Sequence, residues 1–339
     1  MKNYGVILEK PKGRDYLFGA VKNNITCDDW GIYLPKFEKQ HSVYFDSMAC
    51  VSFSAINCVE AIFKYQINHK MISADNMIWL KENGYINDDE VNFSDRFIAK
   101  LSKTSRQGNT GKRVAQAIRD YGLIPEAKWN YPVKQRVPVF NWDNYYKEVP
   151  EELLDLGKEF KKRFEFNYES IKKSEYEEAL VNSPIQVYGH AWEKPINGVY
   201  QYTNKKINHA IMAYKPRWDI LDHYLPFIKR LAPSFKFWDS GYKYTIKEKY
   251  MAISQAKIIS VKNSKEVGLY VPAIDEKSFQ NICMNHGINI ATINGEVNWE
   301  KVKIDGELVF FNNPVTSQNV IRKSFWSIIN NLIRKIFNK

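Results

Sequence analysis

One apolar stretch, residues 47–60, constrains the fold more than any other part of the chain; it reads Ser-Met-Ala-Cys-Val-Ser-Phe-Ser-Ala-Ile-Asn-Cys-Val-Glu. From it onward, apolar side chains recur at steps of three and four residues: Val51, Ala55, Cys58, Ile62 and Tyr65. That spacing places them on one face of a helix. We therefore predict a long buried helix from Cys50 to about Asn68, with Asp46 and Ser47 capping its first N–H groups.

The cysteine in the first turn of this helix has two interpretations. The positive end of a helix dipole lowers the pKa of a thiol and favours the nucleophilic thiolate. Most cysteines in apolar helices, however, are simply small buried hydrophobic residues. A catalytic role for Cys50 therefore requires a base, a residue that orients the base, and a cleft elsewhere in the chain.

Composition is that of a soluble globular protein with a large core. The chain has 339 residues, of which 44% are hydrophobic and 26% charged, and its 21 Tyr, 19 Phe and 9 Trp argue against extensive disorder. The net charge of +11 comes from basic residues spread among acids along the chain. Without an arginine-rich stripe or a nucleic-acid motif, we expect a dispersed basic surface and no specific nucleic-acid partner.

Cysteine usage and hydropathy predict the compartment. The four cysteines show neither a disulfide framework nor a CxxC metal spacing, so we expect a reducing environment and no metal or other cofactor. The first residues lack the apolar core of a signal peptide, and there is no run of 18 apolar residues. The expected location is the cytoplasm, or outside the cell after non-classical export.

The periodicity changes from helical to strand-like along the chain. Further helices are predicted at Ala74–Asn83, Phe93–Leu101, Arg113–Tyr121, Glu151–Phe164 and Ser174–Val181. Strands are predicted at 184–190, 198–202, 209–214, 235–241 and 242–246, with an inserted loop at 216–234. This is an α+β plan. We expect a main domain over residues 1–255, a small α/β extension over 256–320 and a basic amphipathic helix over 321–339.

Among the six histidines, His209 is distinguished by its position at the start of an apolar strand. Such a position holds a side chain rigidly at the edge of a cleft, and a histidine there is suited to activate a thiol. A third group is needed to fix the imidazole. Asp239, at the end of a predicted strand, is the first candidate, and Asp222 is a rival.

Several short motifs resemble those of papain-like cysteine peptidases and occur in that family's order, over about residues 40–245. The segment 50–55, Cys-Val-Ser-Phe-Ser-Ala, resembles the family's cysteine motif, with Val51 where the family usually has Trp. The glycine-containing loop 108–111 resembles the loop that presents backbone to substrate. The remaining resemblances lie at 93–102, 121–132, 183–187, 208–211 and 238–240.

The resemblance implies a two-lobed fold, with a helical lobe and an antiparallel β-barrel-like lobe, and a cysteine peptidase activity on protein or peptide substrates. Cys50 would be the nucleophile, His209 the base and Asp239 the orienting residue. Substrate would lie along Gly108, Asn109, Thr110, Gly111 and Asn208. The family's oxyanion glutamine lies six residues before the cysteine, where this chain has Tyr44, so we assign Gln40 to that role.

Two other functions fit the same residues: a related acyl transferase or cell-wall amide hydrolase that uses the Cys–His pair, and a non-catalytic papain-like scaffold. Only 49 residues precede Cys50, so we do not expect latency through a helical prosegment. The tail at 321–339 has five basic residues, no acid and one apolar stripe. It is suited to a membrane surface or a partner's groove, and equally to packing on the protein's own core.

Overall fold

The computed structural model describes residues 3–10, 18–19, 25–27, 29–41, 45–87, 90–129, 141–216, 218–224 and 228–249, and the backbone of five strands further on. The chain divides into two compact units, Met1–Lys249 and Tyr250–Lys339. Tyr44 and the tail at 321–339 lie outside the described residues. In the described part, no helix is both long and apolar enough to cross a membrane.

Seven helices are described in the first unit. They are α1 (Cys50–Asn68), α2 (Ala74–Glu82), α3 (Asp95–Leu101), α4 (Gly111–Tyr121), α5 (Trp142–Tyr145), α6 (Glu151–Arg163) and α7 (Tyr176–Asn182). Short polar caps begin several of them: the side chains of Ser73, Ser94 and Thr110 accept hydrogen bonds from the first turns of α2, α3 and α4. The apolar spacing of residues 51–65 correctly predicted both ends of α1.

The strands of this unit form a two-stranded ribbon and one large sheet. The ribbon pairs β1 (Ile86–Asn87) with β2 (Glu90–Val91). The sheet contains β3 (Phe164–Lys172), β4 (Ile185–Gly189), β5 (Val199–Tyr200), β6 (His209–Lys215), β7 (Asp219–Leu221), β8 (Ile228–Leu231) and β9 (Ser240–Glu248). Its strand order is β3-β9-β4-β6-β7-β8-β5, and every pair is antiparallel except β5–β8. The architecture is therefore mixed α+β, and the described sheet is open and does not close into a barrel.

Helices α1 and α7 pack on opposite faces of the sheet, so both faces are buried. Side chains alternate between the two faces of a strand. Along β6, Ala210 and Met212 join the core that contains α1, whereas Ile211 and Ala213 join the core that contains α7. The fold thereby presses the N-terminal end of α1 against the beginning of β6, where His209 lies.

A buried amide fixes this contact between helix and sheet. Gln186, on β4, donates to the Val51 carbonyl at 2.7 Å and to the Ser54 hydroxyl at 2.6 Å. Its own carbonyl oxygen accepts from the hydroxyls of Tyr188 and Tyr244. The amide N–H groups and carbonyl oxygen of Gln186 are thus all hydrogen-bonded inside the core. These bonds fix the distance between the first turn of α1 and the sheet.

The structure differs from the predicted secondary structure in three places. Residues 216–234 are not simply an inserted loop, because they contain β7 and β8. Residues 164–172 form β3, which was not predicted. Residues 235–239 lie outside the strands, with Phe237 making only an isolated bridge to Gly189. Strands of three or four residues carry too little periodicity to be recognised, and β7 and β8 are of this kind.

The second unit is described through its strands: β10 (Ile258–Ile259), β11 (Gly268–Val271), β12 (Asn289–Ile293), β13 (Glu296–Lys303) and β14 (Phe310–Phe311). β11 pairs with β10 and with β14, and β12 pairs with β13.

Candidate active site

Cys50 is the first residue of α1 and is fully buried. The predicted side-chain caps do not form: Ala49 is at the N-cap position and has no side-chain cap. Instead, the Asp46 carboxylate accepts from the Met48 backbone N–H at 3.0 Å, and the Ser47 hydroxyl donates to the Gln40 carbonyl at 3.0 Å. Met48 has a positive φ of 56°. The segment before α1 is therefore a tight turn held by its own polar side chains.

The Cys50 thiol does not have the lowered pKa that its place at a helix start predicts. Burial raises the pKa of Cys50, and the negative charges of Asp46 and Asp222 raise it further. The backbone N–H groups of Ala210 and Val51 act in the opposite direction and lower it. Ala210 directly follows His209, so the hydrogen bond between its backbone N–H and the thiol places Cys50 beside the start of β6. In this arrangement Cys50 is a neutral thiol.

His209 is buried and hydrogen-bonded to a carboxylate, Asp222. Its Nε2 lies 2.7 Å from Asp222 Oδ1. An ionised carboxylate only accepts, so Nε2 carries the proton and Nδ1 is left as the acceptor. Within the described part of the chain, Nδ1 has no hydrogen-bond partner. The imidazole is therefore oriented at one nitrogen and available as a base at the other.

Asp222 receives two further donors through its second oxygen. Trp192 Nε1 donates to Oδ2 at 2.6 Å, and Lys229 Nζ donates to it at 2.7 Å. Burial alone raises the pKa of Asp222, but the interaction and hydrogen bond with His209, together with the effects of His223 and Lys229, outweigh it and hold the pKa below its ordinary value. Asp222 therefore stays ionised although it is completely buried.

The assignment of Asp239 as the orienting residue was wrong, because the carboxylate bound to His209 is that of Asp222. Asp239 is exposed, and its backbone carbonyl accepts from the Lys173 N–H at 3.0 Å. Asp222 directly follows β7, and the missed hairpin of β7 and β8 is what carries it beside β6. Tyr224, two residues later, places its ring 5.5 Å from that of His209 and so shields the histidine.

A second histidine in this cluster, His223, has no counterpart in the sequence predictions. Its ring lies 4.7 Å from that of His209 and 5.3 Å from that of Phe53. Burial, together with the smaller electrostatic effects of His209 and Lys229, holds the pKa of His223 well below its usual range, so the ring is neutral at neutral pH. Neither of its nitrogens has a hydrogen-bond partner among the described residues. Only its position next to Asp222 would have identified it.

His209, Asp222 and His223 also satisfy the distance requirement for a metal site, since each offers a ligand atom within 4.8 Å of the others. The carboxylate, however, is already committed, with Oδ1 to His209 and Oδ2 to Trp192 and Lys229. A cation bound here would also face the buried Lys229 ammonium. The bonding of these residues therefore favours an acid–base cluster over a metal centre.

Gln40 is buried close to this cluster but is not positioned as predicted. Its Nε2 donates to the Tyr4 carbonyl at 2.7 Å and to Asp46 Oδ1 at 2.8 Å, so both amide hydrogens are used. Its backbone N–H donates to the His223 carbonyl. In this state Gln40 braces the turn before Cys50, and its amide has no hydrogen left to offer an oxyanion.

Residues 4–7, which we call the N-terminal strap, occupy the backbone groups predicted to bind substrate. The Tyr4 N–H donates to the Asn208 carbonyl at 3.1 Å. Asn109 donates its N–H to the Gly5 carbonyl at 2.9 Å and accepts from the Ile7 N–H at 2.7 Å. The ring of Tyr4 lies 5.0 Å from that of His209. The strap therefore covers the candidate site, which the length of the chain before Cys50 did not lead us to expect.

Two glycines make the strap's close approach possible. A Cβ on Gly5, where φ is +108°, would lie 2.0 Å from the Met48 carbonyl oxygen. A Cβ on Gly108, where φ is +105°, would lie 2.0 Å from the Gly5 carbonyl oxygen. Larger residues at these positions would displace the strap.

The other residues of the predicted substrate loop have structural roles. The Asn109 side chain is buried and donates to the backbone and hydroxyl of Ser102 and to the hydroxyl of Thr104. Thr110 caps α4, and Gly111 begins it. The loop therefore presents a rigid backbone edge at Asn109, opposite the Asn208 carbonyl, and the strap lies along that edge.

Comparison with known proteins finds similar structures and no similar sequence. No family model and no curated protein matches the chain. Xylellain, a cysteine protease from Xylella fastidiosa, resembles it with a TM-score of 0.47 and 14% identity, over 72% of this chain and 96% of that one. The cysteine protease and lectin-like domains of Cwp84 from Clostridium difficile give 0.45 and 14%, over 78% and 59%.

Bromelain protease from Ananas comosus gives a TM-score of 0.38 and 16% identity, over 64% of this chain and 97% of that one. All three of these solved structures contain a cysteine protease. At such low identities and scores, it is the geometry of the site, and not the likeness, that supports the function proposed next.

Proposed function

We propose that this protein is a cysteine peptidase in which Cys50 is the nucleophile, His209 the base and Asp222 the orienting residue. The observation that carries the proposal is the bonding of His209. Its Nε2 is fixed on Asp222 at 2.7 Å, its Nδ1 has no partner within the described residues, and the residue after it contacts the Cys50 thiol. A histidine held in this way is suited to take a proton from a neighbouring thiol.

The proposed reaction is acyl transfer to the thiol. His209 Nδ1 takes the Cys50 proton as the sulfur attacks the carbonyl carbon of an amide, and the imidazolium then protonates the leaving amine. Water hydrolyses the thioester, with His209 again as base, and restores the thiol. The N-terminus of α1 directs backbone N–H groups toward the oxyanion. The backbone edge at Asn109 and Asn208 would hold the substrate once the strap has left.

The test is alkylation of Cys50 by iodoacetamide as a function of pH, with and without the strap. In a variant lacking residues 1–8, we expect Cys50 to react faster than Cys58 near pH 6, and His209→Ala to slow that reaction by at least about tenfold. Cys58, on the same helix and equally buried, is the internal control. Equal labelling of the two cysteines, or labelling that ignores His209, would contradict the proposal.

The strap also supports a second candidate, a non-catalytic protein whose cleft is permanently closed. The two functions differ in one measurement, hydrolysis of a mixed peptide library by the variant lacking residues 1–8. A peptidase cleaves the library and loses this activity with Cys50→Ser, whereas a closed scaffold leaves the peptides intact.

A further inference from the structure

Lys229 is a buried lysine whose ammonium group lies at the candidate site without touching the reacting atoms. It comes from β8, and its side chain is completely inaccessible. Besides Asp222 Oδ2 at 2.7 Å, its Nζ reaches the Tyr224 carbonyl at 3.3 Å. The same nitrogen lies 5.1 Å from the centre of the Trp192 ring. Removing an ammonium from water is costly, so its presence here calls for a compensating role.

The charge balance around His209 indicates what that role is. A lone buried carboxylate beside an imidazole strongly stabilises the imidazolium, which would leave the histidine protonated and unable to accept a proton. With Lys229 on its other oxygen, Asp222 belongs to a pair with no net charge. The pair still provides an acceptor at 2.7 Å for the Nε2 proton.

The other groups facing His209 do not provide this compensation. His223 is neutral, and Tyr4, Tyr224 and Trp192 contribute uncharged rings. Cys50 lies beside it as a neutral thiol. Asp46, hydrogen-bonded to the Tyr224 hydroxyl, adds negative charge. Among the groups that act on Asp222, Lys229 is the one that forms a buried ion pair with it, at 2.7 Å.

We propose that Lys229 is a positioning residue for the proposed reaction: it holds Asp222 against His209 and neutralises the carboxylate, so that His209 remains a base able to exchange a proton with Cys50. The role rests on the proposed function for its purpose, but its electrostatic effect on His209 is measurable without any activity.

The decisive measurement is an NMR titration of the His209 imidazole in the full chain, with the resonance assigned through His209→Gln. In Lys229→Met, the carboxylate loses its counter-ion, and we expect the pKa of His209 to rise by about one to two units. The matched control is Lys243→Met, which removes a second buried lysine, paired with Glu169 at 3.0 Å away from the site. It should leave the His209 titration unchanged.

A double variant keeps the proposal testable if Lys229→Met does not fold. Asp222→Asn with Lys229→Met removes both charges and leaves an amide to accept from His209. If the pair is neutral toward His209, the double variant titrates within about half a unit of the wild type. A wild-type pKa more than one unit above that of the double variant would overturn the proposal, because it would mean that Lys229 does not offset the carboxylate.

The two proposals fail in different ways. A His209 pKa that does not move in folded Lys229→Met, or that moves equally in Lys243→Met, overturns the role of Lys229. Alkylation of Cys50 that does not depend on His209 overturns the proposed function. The expected combination is a shifted His209 titration together with a pH profile of alkylation displaced in the same direction.

Discussion

Helix α1 contacts two buried clusters that contain carboxyl groups, and the pKa values of these carboxyl groups are shifted in opposite directions. At its N-terminal end is the cluster of Asp222 described above. Near its middle, Glu60 accepts from the Phe93 N–H at 2.7 Å, close to buried Asp95. Asp222 and Asp95 are both buried, yet the pKa of Asp222 is lowered, whereas burial raises the pKa values of Glu60 and Asp95.

The difference lies in the charges of the neighbours. Asp222 is surrounded by His209, His223 and Lys229, whereas the neighbours that most affect Glu60 and Asp95 include the acids Glu38 and Glu126, which raise their pKa values further. Burial penalises every carboxylate, and at Asp222 hydrogen bonds and nearby basic side chains reverse the outcome. Asp222 is therefore ionised and suited to proton transfer, whereas burial favours the neutral form of Glu60 and Asp95.

The largest expected effect comes from making the same substitution in both clusters. Asp222→Asn leaves the buried Lys229 without a counter-ion and should cost about 3–5 kcal/mol of the free energy of unfolding. Asp95→Asn exchanges a neutral carboxyl for a neutral amide and should change it by less than about 1 kcal/mol. Urea unfolding at pH 7 measures both. Equal losses would show that the two aspartates are in the same ionisation state.

The second effect is the opposite pH dependence of the two clusters. Because the folded pKa of Glu60 is raised, the stability it contributes is present below its unfolded pKa of about 4.3 and is lost as the pH rises through the folded value. Because the folded pKa of Asp222 is lowered, its contribution is present above about 3.9 and is lost as the pH falls through the folded value.

Glu60→Gln tests this contrast. Relative to the variant, the wild type should lose up to about 1.4 kcal/mol for each pH unit over which Glu60 ionises only in the unfolded chain. The measurement is urea unfolding between pH 5 and 9. Glu152→Gln, at an exposed position in α6, is the control and should show the same slope as the wild type. A wild-type curve parallel to that of Glu60→Gln would contradict a neutral Glu60.

The smallest effect concerns the N-terminal strap, which covers the cluster of Asp222. Gly5→Ala places a methyl group against the Met48 carbonyl and should release the strap, which we expect to accelerate alkylation of Cys50 by about tenfold, equivalent to 1.4 kcal/mol. Gly19→Ala is a matched control, since Gly19 has a similar φ of +88° but a Cβ added there would meet nothing within 4 Å. Acceleration in both variants would point to general strain and not to the strap.

The sequence predicted those parts of the site that depend on long periodic elements. The helical spacing over residues 51–65 located Cys50 at the start of α1, and the apolar run after residue 208 located His209 at the start of β6. Asp222 was only a rival to Asp239, because β7 and β8 are too short to be recognised as a hairpin. Lys229 was missed because a lysine is normally a surface residue, and only a counter-ion in three dimensions explains its burial.

The strap and the pKa of Cys50 were missed for a related reason. Residues 4–7 have the composition of an ordinary edge strand, and no pattern in them indicates contact with residues 108–109 and 208. Since burial depends on those long-range contacts, the helix dipole suggested a lowered pKa where desolvation raises it. Local sequence predicted which residues are candidates, while their protonation states depend on tertiary packing.

The hairpin of β7 and β8 has a consequence for the order in which the site assembles during folding. Lys229 lies seven residues from Asp222 along the chain, and Asp222 lies 13 residues from His209. These contacts close short loops, whereas Cys50 reaches β6 only when α1 docks on the sheet from far away in sequence. Since short loops close faster than long ones, the base and its partners can form early. The thiol meets them only in the nearly folded chain, and a half-folded molecule would hold its acid–base pair and its nucleophile apart.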